Sequence, residues 1–414
     1  MNDNEKKKLL ILGGNQYNVS GIQEARKADF FTIVADRNPQ APGLAEADIG
    51  LPIDLFDYEK LLKAIDGYGG VDGIISMAEA GVRPAAYLSK RLGLPSISQE
   101  AAANATSKAA MRHKWRKIGK YSVEYDVVNT EEQALQAINQ LGRFPVIFKP
   151  DRSFGGARGV SLVDNKNQVH KAFLFAKSGA LPNSNIVIER FVTGTEHSAE
   201  VLTWKGQSTV LCIGQKVKSP LPYRVDVSVQ YPAQLAVQHE KVISDMCYEA
   251  IKALGLNQGI AHIEFVNTQN GPVLLELGAR CGGGHTPQIA HHVSGVNEFI
   301  EACRMSCGIQ PLQPKPTSKK GADYRFLIFP PGKIAGFSIP DRVQQHKNIL
   351  DIGITLKTGD ILKSLCTTSE RAGYVVSIAG NRKEASEIAD WTCKQVSITY
   401  DDGSISLPYN ISNK

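Results

Sequence analysis

From Lys8 onward the chain alternates short apolar runs with amphipathic ones. "LLIL" (9–12) reads as a strand, "SGIQEARKA" (20–28) as a helix, "FFTIVAD" (30–36) as a second strand, and "VDGIIS" (71–76) precedes the helical "VRPAAYLSKRLGL" (82–94). Strands alternating with helical segments predict parallel strands joined by crossover helices. Residues 1–105 are therefore expected to form an α/β domain on a doubly wound parallel sheet. Its first turn, "GGNQYN" (13–18), lacks the GxGxxG of a dinucleotide fold, and Asp36 at the second strand end adds little. Nucleotide binding here and a plain tight turn both remain open.

The pattern changes after the basic helix "SKAAMRHKWRKIG" (107–119). "SVEYDVV" (122–128), a helix from about Thr130 to Leu141, and "FPVIFKP" (144–150) read as strand, helix, strand, and after a glycine-rich run comes another strand, "VSLVD" (160–164). Strands follow at "IVIERF", "HSAEVLTW" and "STVLCIGQKV". A long helix is then predicted from about Leu235 to Leu254, where Val242, Ile243, Met246, Cys247, Ala250, Ile251 and Leu254 recur at helical spacing. "IAHIEF" and "PVLLELGA" are joined by "VNTQNG", whose Asn-Gly is a hairpin signal. The proline- and lysine-rich stretch "QPLQPKPTSKKG" (310–321) marks a domain boundary. This divides the chain into 1–105, 106–310 with a subdomain at about 122–192, and a small C-terminal α/β unit at 321–414.

Composition narrows the function classes. At 414 residues the chain exceeds a single core, and 42% hydrophobic with 21% charged residues is ordinary for a soluble protein. A net charge of +6 from 47 basic and 41 acidic residues, with no basic run beyond Lys6-Lys7-Lys8, argues for a small phosphorylated ligand over nucleic acid. The apolar run after those lysines is too short for a signal peptide, and no stretch approaches the roughly 20 apolar residues of a membrane span. Seven scattered cysteines, none in a CxxC pair, are expected as reduced thiols of a cytoplasmic protein without structural zinc.

Candidate chemistry begins at "FKPDRSFGGARGVSLV" (148–163). GxxxxGK[ST] is absent and a strand follows the glycines, so this is no Walker loop. Gly155, Gly156 and Gly159 would let backbone N–H groups turn toward phosphate oxygens, with Lys149 and Arg158 adding charge. An exposed hairpin tip is the alternative. Glu264 and Glu276 stand six residues either side of Asn270, which places them opposite each other across the hairpin. Two facing carboxylates repel unless a proton or a cation lies between them, and oxygen ligands with room for phosphate suit Mg²⁺. A one-residue slip would instead turn one glutamate to solvent. Arg280 follows Glu276 by four residues and either faces a reacting phosphoryl group or is a surface arginine. In "IERFVTGTEHSAEV", Glu189 to Val192 offer backbone groups for an adenine edge and Glu196 offers an acceptor for ribose hydroxyls. Lys216, Tyr223 and Asp226, in "GQKVKSPLPYRVD", either line an acceptor pocket or belong to a surface loop.

In this order the motifs resemble the ATP-grasp superfamily over nearly the whole chain. The resemblance implies an N-terminal sheet domain, a central ATP-grasp domain with a glycine-rich lid, and a small C-terminal α/β domain. It assigns Lys108 of "SKAAMR" and Lys149 of "VIFKP" to the nucleotide, with Ser153, Gly155, Gly156 and Gly159 of "SFGGARGV" as the lid. Glu189 and Val192 fall at the adenine hinge, Glu196 at the ribose, Glu264 and Glu276 at Mg²⁺ or Mn²⁺, and Arg280 at the catalytic position. Two departures stand out: Gly278 occupies a place where many relatives carry asparagine, and Ser107 one where aspartate is frequent. "EAGVRPAAYLSKRLGLP", "ELGARCGGGHTPQIAHHVSGVN" and the C-terminal "DYRFLIFPPGKIAGF" are similar to carboxylate-amine ligases of the L-amino acid ligase type.

That resemblance implies ATP-dependent carbon–nitrogen ligation through an acyl phosphate, with small carboxylate and amine substrates, ADP and phosphate as products, and a homodimer. No enzyme nucleophile is required, so the cysteines and His285, His291 and His292 are free to be structural. An ATP-dependent carboxylase or nucleotide-biosynthesis ligase using bicarbonate or formate is the rival enzyme reading, and a non-catalytic ATP-binding protein the rival class.

Overall fold

In the computed structural model, which describes residues 6–153, 155–312 and 320–409, the first apolar runs pair in parallel. Lys8–Leu12 lies between Phe31–Ala35 and Gly73–Ser76, with Ile49–Leu51 at the far edge. Both faces are covered, as parallel sheets require. Leu10 and Leu12 pack with Leu61, Ile65 and Leu88 of two flanking helices. On the opposite face Leu9 and Ile11 meet Phe299, Cys303 and Met305 of the helix Glu298–Ser306, which comes from much later in the chain.

A second four-stranded sheet, in the order 125–128, 186–190, 146–150, 161–163, is antiparallel throughout. Its apolar face, including Val146, Phe148 and Ile188, is covered by Ala134 and Ile138 from the helix Glu131–Leu141 and Phe173 and Ala176 from Val169–Ser178.

The largest sheet has eight strands in the order 271–278, 259–268, 195–204, 207–218, 226–231, 321–327, 373–379, 349–354. Asp226–Tyr231 pairs directly with Gly321–Leu327, so the sheet runs unbroken from the central part of the chain into the C-terminal part. The proline- and lysine-rich boundary therefore separates strands that are neighbours in one sheet; its residues 313–319 lie outside the described residues. A further small sheet, 361–362, 332–338, 397–400, 405–406, completes the C-terminal segment.

The long helix runs Val237–Leu254 and ends on Gly255 at φ +82, a left-handed conformation that glycine adopts freely. Ile243, Met246, Cys247, Ala250, Ile251 and Leu254 are buried against the large sheet. Val242, assigned by its spacing to the same face, sits instead at the rim with 38% exposure. All seven cysteines are free thiols. Among the described residues no helix is long and apolar enough to cross a membrane.

Candidate active site

The hairpin Gly259–Thr268 and Gly271–Gly278 aligns Glu264 with Glu276. From the turn, where Thr268 pairs with Gly271, the register carries Phe265 onto Leu274; one extra residue, Leu275, then bulges out before Glu264 meets Glu276. Without that bulge Glu264 would face Leu275, so the bulge is what re-aims the second carboxylate. Each glutamate closes on its own lysine. Lys108 Nζ lies 2.8 Å from Glu276 Oε1, and Lys216 Nζ lies 2.6 Å from Glu264 Oε1. Burial works against both carboxylates, but Lys216 holds Glu264 well below the usual carboxylate range and Lys108 lowers Glu276.

Lys108 opens the helix Lys108–Arg116, whose N-cap is Ser107. The Ser107 hydroxyl accepts from Ala110 N–H and donates to Asp151 at 2.7 Å, so serine meets the capping need that an aspartate would otherwise serve. One turn on, Arg112 reaches Glu189 with two parallel hydrogen bonds, Nε–Oε1 at 2.6 Å and Nη2–Oε2 at 3.0 Å. It also donates to the carbonyls of Leu274 and Leu275, each at 2.8 Å, which pins the bulge. Lys149, at the end of strand Val146–Pro150, lies 2.7 Å from Glu189 Oε1. Burial alone would raise Glu189, but Arg112 and then Lys149 bring it down to about 2. Burial lowers Lys149 to about 8, against the pull of Glu189 and with repulsion from Arg112.

These groups share one cavity of about 710 Å³, enclosed by the 125–190 sheet, the large sheet, the first N-terminal loop and the C-terminal strands. Lys108, Lys149, Ser153, Gly155, Gly156, Glu189, Val192, Glu196, Glu264, Glu276 and Arg280 all line it. Gly159 does not. Its φ is +73 and a Cβ there would sit 3.0 Å from the Ala176 backbone, so this glycine allows the base of the loop to pack on the helix Val169–Ser178. Gly155 and Gly156, both at φ +75, form the part of the loop that faces the cavity.

Two of these glutamates already have side-chain partners. Glu189 carries its carboxylate inward to Arg112 and Lys149, so only its neighbourhood's backbone remains for an adenine edge. Glu196 Oε1 accepts from Lys218 at 2.6 Å and has Lys216 at 3.5 Å, leaving Oε2, 3.8 Å from Arg224, as the less engaged oxygen.

Sequence reasoning left Lys216 and Asp226 between a pocket and a surface loop. The structure buries Lys216 at the cavity wall, with Asp226 accepting from Lys218 at 2.7 Å and standing 3.5 Å from Lys216. Arg112 and Glu79 were missed altogether. Glu79, from the N-terminal part of the chain, lies 3.4 Å from Arg280 Nε. Burial raises its carboxyl despite Arg280. A Cβ at Gly278 would come within 3.3 Å of Arg280 Cζ and 3.4 Å of Glu79 Oε2, so the space an asparagine would need is taken by this pair. Asp36, at the end of the second strand, accepts from the Gly14 N–H at 2.8 Å, while Asn15, Tyr17 and Asn18 of that first loop face the shared cavity. His285 packs against Tyr374 and lies 3.1 Å from Asp351.

The donors present suit a hard cation. Two carboxylates converge without soft ligands, and among the described residues no group of three or more His, Cys, Asp or Glu side chains is poised to enclose a metal. Such a pair fits Mg²⁺, which completes its shell with phosphate oxygens and water.

Comparison with known proteins finds likeness in both sequence and fold. Residues 142–288 match the ATP-grasp domain family, and residues 325–401 match L-amino acid ligase C-terminal domain 2. The y4rH protein of Sinorhizobium fredii is 24% identical over 355 residues, covering 83% of this chain and 72% of its own. Dapdiamide A synthase of Enterobacter agglomerans is 24% identical over 345 residues, 78% of each chain. The crystal structure of an L-amino acid ligase from Bacillus licheniformis superposes with a TM-score of 0.81 at 20% identity, covering 96% of this chain and 99% of that one. The chain thus carries an ATP-grasp domain followed by an L-amino acid ligase C-terminal domain, and as a whole it resembles carboxylate-amine ligases of the L-amino acid ligase type.

Proposed function

We propose that the protein is an ATP-dependent carboxylate-amine ligase, ADP-forming, that joins L-amino acids or closely similar small acids and amines through an acyl phosphate. The observation that supports this most is the in-register pair Glu264 and Glu276, which lines the same cavity as Lys149 and the glycine loop. Lys108, Lys149 and the N–H groups around Gly155 and Gly156 would hold the ATP phosphates, with Ser153 at the start of the loop. The hinge after Glu189, through the Val192 amide, would take the adenine edge, and Glu196 the ribose. Glu264 and Glu276 would hold Mg²⁺, or Mn²⁺ in its place, which when bound neutralises charge on the phosphates.

In the first step a carboxylate oxygen of the acid substrate attacks the γ-phosphorus and ADP leaves. In the second, the amine nitrogen attacks the acyl carbon, loses its proton, and inorganic phosphate departs with the C–O electron pair. Arg280, fixed by Glu79 and by its own bond to the Cys281 carbonyl, would stabilise the oxygens that gain charge in both steps. The loop closes water out of a site where an acyl phosphate would otherwise hydrolyse. A homodimer in the cytoplasm is the expected setting.

The test is a phosphate-release screen with ATP, Mg²⁺ and pairs of amino acids, with products weighed by mass spectrometry. A hydroxamate formed from hydroxylamine only with particular amino acids supports the reading. AMP as product, or acceptance of bicarbonate or formate alone, overturns it.

A further inference from the structure

His262 lines the same cavity, two residues before Glu264 on the strand Gly259–Thr268, and no step of the ligation calls on it. Side chains two apart on a strand share a face, so His262 and Glu264 project together. The adjoining strand Thr195–Trp204 places Glu200 opposite His262, two positions along from Ser198 opposite Glu264. Partners directly opposite each other on one face of a sheet are close enough to touch. His262 Nδ1 lies 2.5 Å from Glu200 Oε1, and Nε2 lies 3.3 Å from Glu264 Oε1. The imidazole therefore links a carboxylate that lines the cavity to one that is wholly buried.

Stability does not explain Glu200. Its Oε2 has no hydrogen-bond partner among the described residues, and neither oxygen of its buried acidic neighbour Glu298 has one. A buried ion pair is often no better for a fold than apolar side chains of the same volume. The backbone nevertheless leaves room for this one, since a Cβ at Gly282 would sit 3.0 Å from Glu200 Oε1. What the pair supplies is orientation, and Glu264 needs it. Lys216 Nζ reaches Glu264 Oε1 at 2.6 Å but also lies 3.5 Å from Glu196 and from Asp226. An ammonium on a flexible stem, divided among three carboxylates, does not fix any one of them. A flat ring held at Nδ1 does. Both contacts fall on Oε1 of Glu264, and Oε2 has no hydrogen bond among the described residues, which makes it the oxygen open to a cation.

We propose that Glu200 and His262 are positioning residues for Glu264: Glu200 sets the imidazole, the imidazole and Lys216 hold Oε1, and Oε2 is thereby presented to Mg²⁺. This rests on the ligase reading above, in which Glu264 holds the metal. It goes further in assigning two residues that act on the metal only through Glu264, one of them wholly buried behind the site.

The experiment is a calorimetric titration of ADP into the full chain, first in EDTA and then across a series of Mg²⁺ concentrations. In the wild type Mg²⁺ should tighten ADP binding. Glu200→Leu exchanges the buried carboxylate for an apolar side chain of similar size. It should bind ADP in EDTA as the wild type does, yet need roughly 10- to 100-fold more Mg²⁺ for half of the tightening, the usual worth of a group that orients a metal ligand from behind. His262→Phe should do the same. Because Glu200 acts through His262, the double variant should lose no more than His262→Phe alone. Glu200→Gln keeps an acceptor opposite Nδ1 and should recover most of the response. An unchanged Mg²⁺ requirement in Glu200→Leu, or losses that add in the double variant, overturns the assignment. Should Glu200→Leu fail to fold, His262→Phe decides: an unchanged Mg²⁺ requirement, or ADP binding weakened already in EDTA, overturns the assignment. Absence of ADP binding, or of any tightening by Mg²⁺, in the wild type overturns the ligase reading itself, and the inference falls with it.

Discussion

Glu264 and Glu276 face each other across one hairpin, yet neither is paired to the other's lysine: Lys216 reaches the first from a strand two places away in the same sheet and Lys108 reaches the second from a helix start. A cation entering between the glutamates has to compete with both lysines. Glu276→Gln and Glu264→Gln should therefore each lower kcat/KM by at least roughly 100-fold, equivalent to about 3 kcal/mol of transition-state stabilisation. Thermal shift by MgADP should be present in the wild type and abolished in the double variant. Retention of both activity and shift would remove these residues from the metal site.

Lys149 gives the site a pH limb. Burial lowers it to about 8, so it loses its charge just above neutrality in the free protein. ATP affinity should fall as that charge is lost, and kcat/KM for ATP, which reports the free enzyme, should decline with a midpoint near pH 8. Lys149→Arg should move the limb to higher pH. For stability the sign is opposite. Between about 8 and its ordinary 10.5 the native state holds fewer protons at Lys149 than the unfolded chain, so this residue's contribution to stability rises with pH across that window.

Arg112 is a structural cation whose loss should be felt before chemistry begins. It and Glu189 are both almost fully buried, and Arg112 also holds the bulge carbonyls. Arg112→Leu should destabilise the protein by about 3–5 kcal/mol in urea denaturation, because a buried carboxylate is left with one partner in place of two. A loss under about 1 kcal/mol would mean that Lys149 alone satisfies Glu189.

Gly278→Asn restores the residue many relatives carry, and here it should do harm. The new side chain enters the space between Arg280 and Glu79. Displacing Arg280 should cost roughly 10- to 100-fold in kcat with a smaller change in KM for ATP. Equal kcat in the variant would show that the Arg280 and Glu79 pair is dispensable.

Two neighbouring lid glycines should answer differently to alanine. Both sit at φ +75, so Gly155→Ala and Gly156→Ala share a left-handed strain of roughly 1–2 kcal/mol. Only at Gly156 does the added methyl also meet Thr368 Oγ1, at 2.6 Å. Gly156→Ala should be the worse of the two for ATP KM, and adding Thr368→Ala should recover the difference.

Much of this architecture was legible because it is local. The alternating runs of the first hundred residues, the Asn-Gly turn and the buried face of Val237–Leu254 depend on short-range periodicity. The facing glutamates were reached by counting evenly about Asn270, which is right only because Leu275 bulges; nothing in the pattern announces that bulge. What was not legible comes from far apart in the chain. Glu79 reaches Arg280 from the short turn that follows strand Gly73–Ser76, Arg112 reads as one more charge on a basic helix, and Arg371 stands 145 residues from the carbonyl it binds. Val242 shows the converse, a residue with the right spacing at the margin of the buried stripe.

The eight-stranded sheet sets a rule for how this chain can come into being. Its strand Asp226–Tyr231 finds its second neighbour only when Gly321–Leu327 arrives, and that strand in turn is bordered by Gly373–Ala379. Until then a growing chain exposes a raw sheet edge and a cavity open on one side. The segment that carries Tyr374 must be made before the cavity has all its walls, so a chain terminated ahead of it would be left with an unfinished site and handed to quality control.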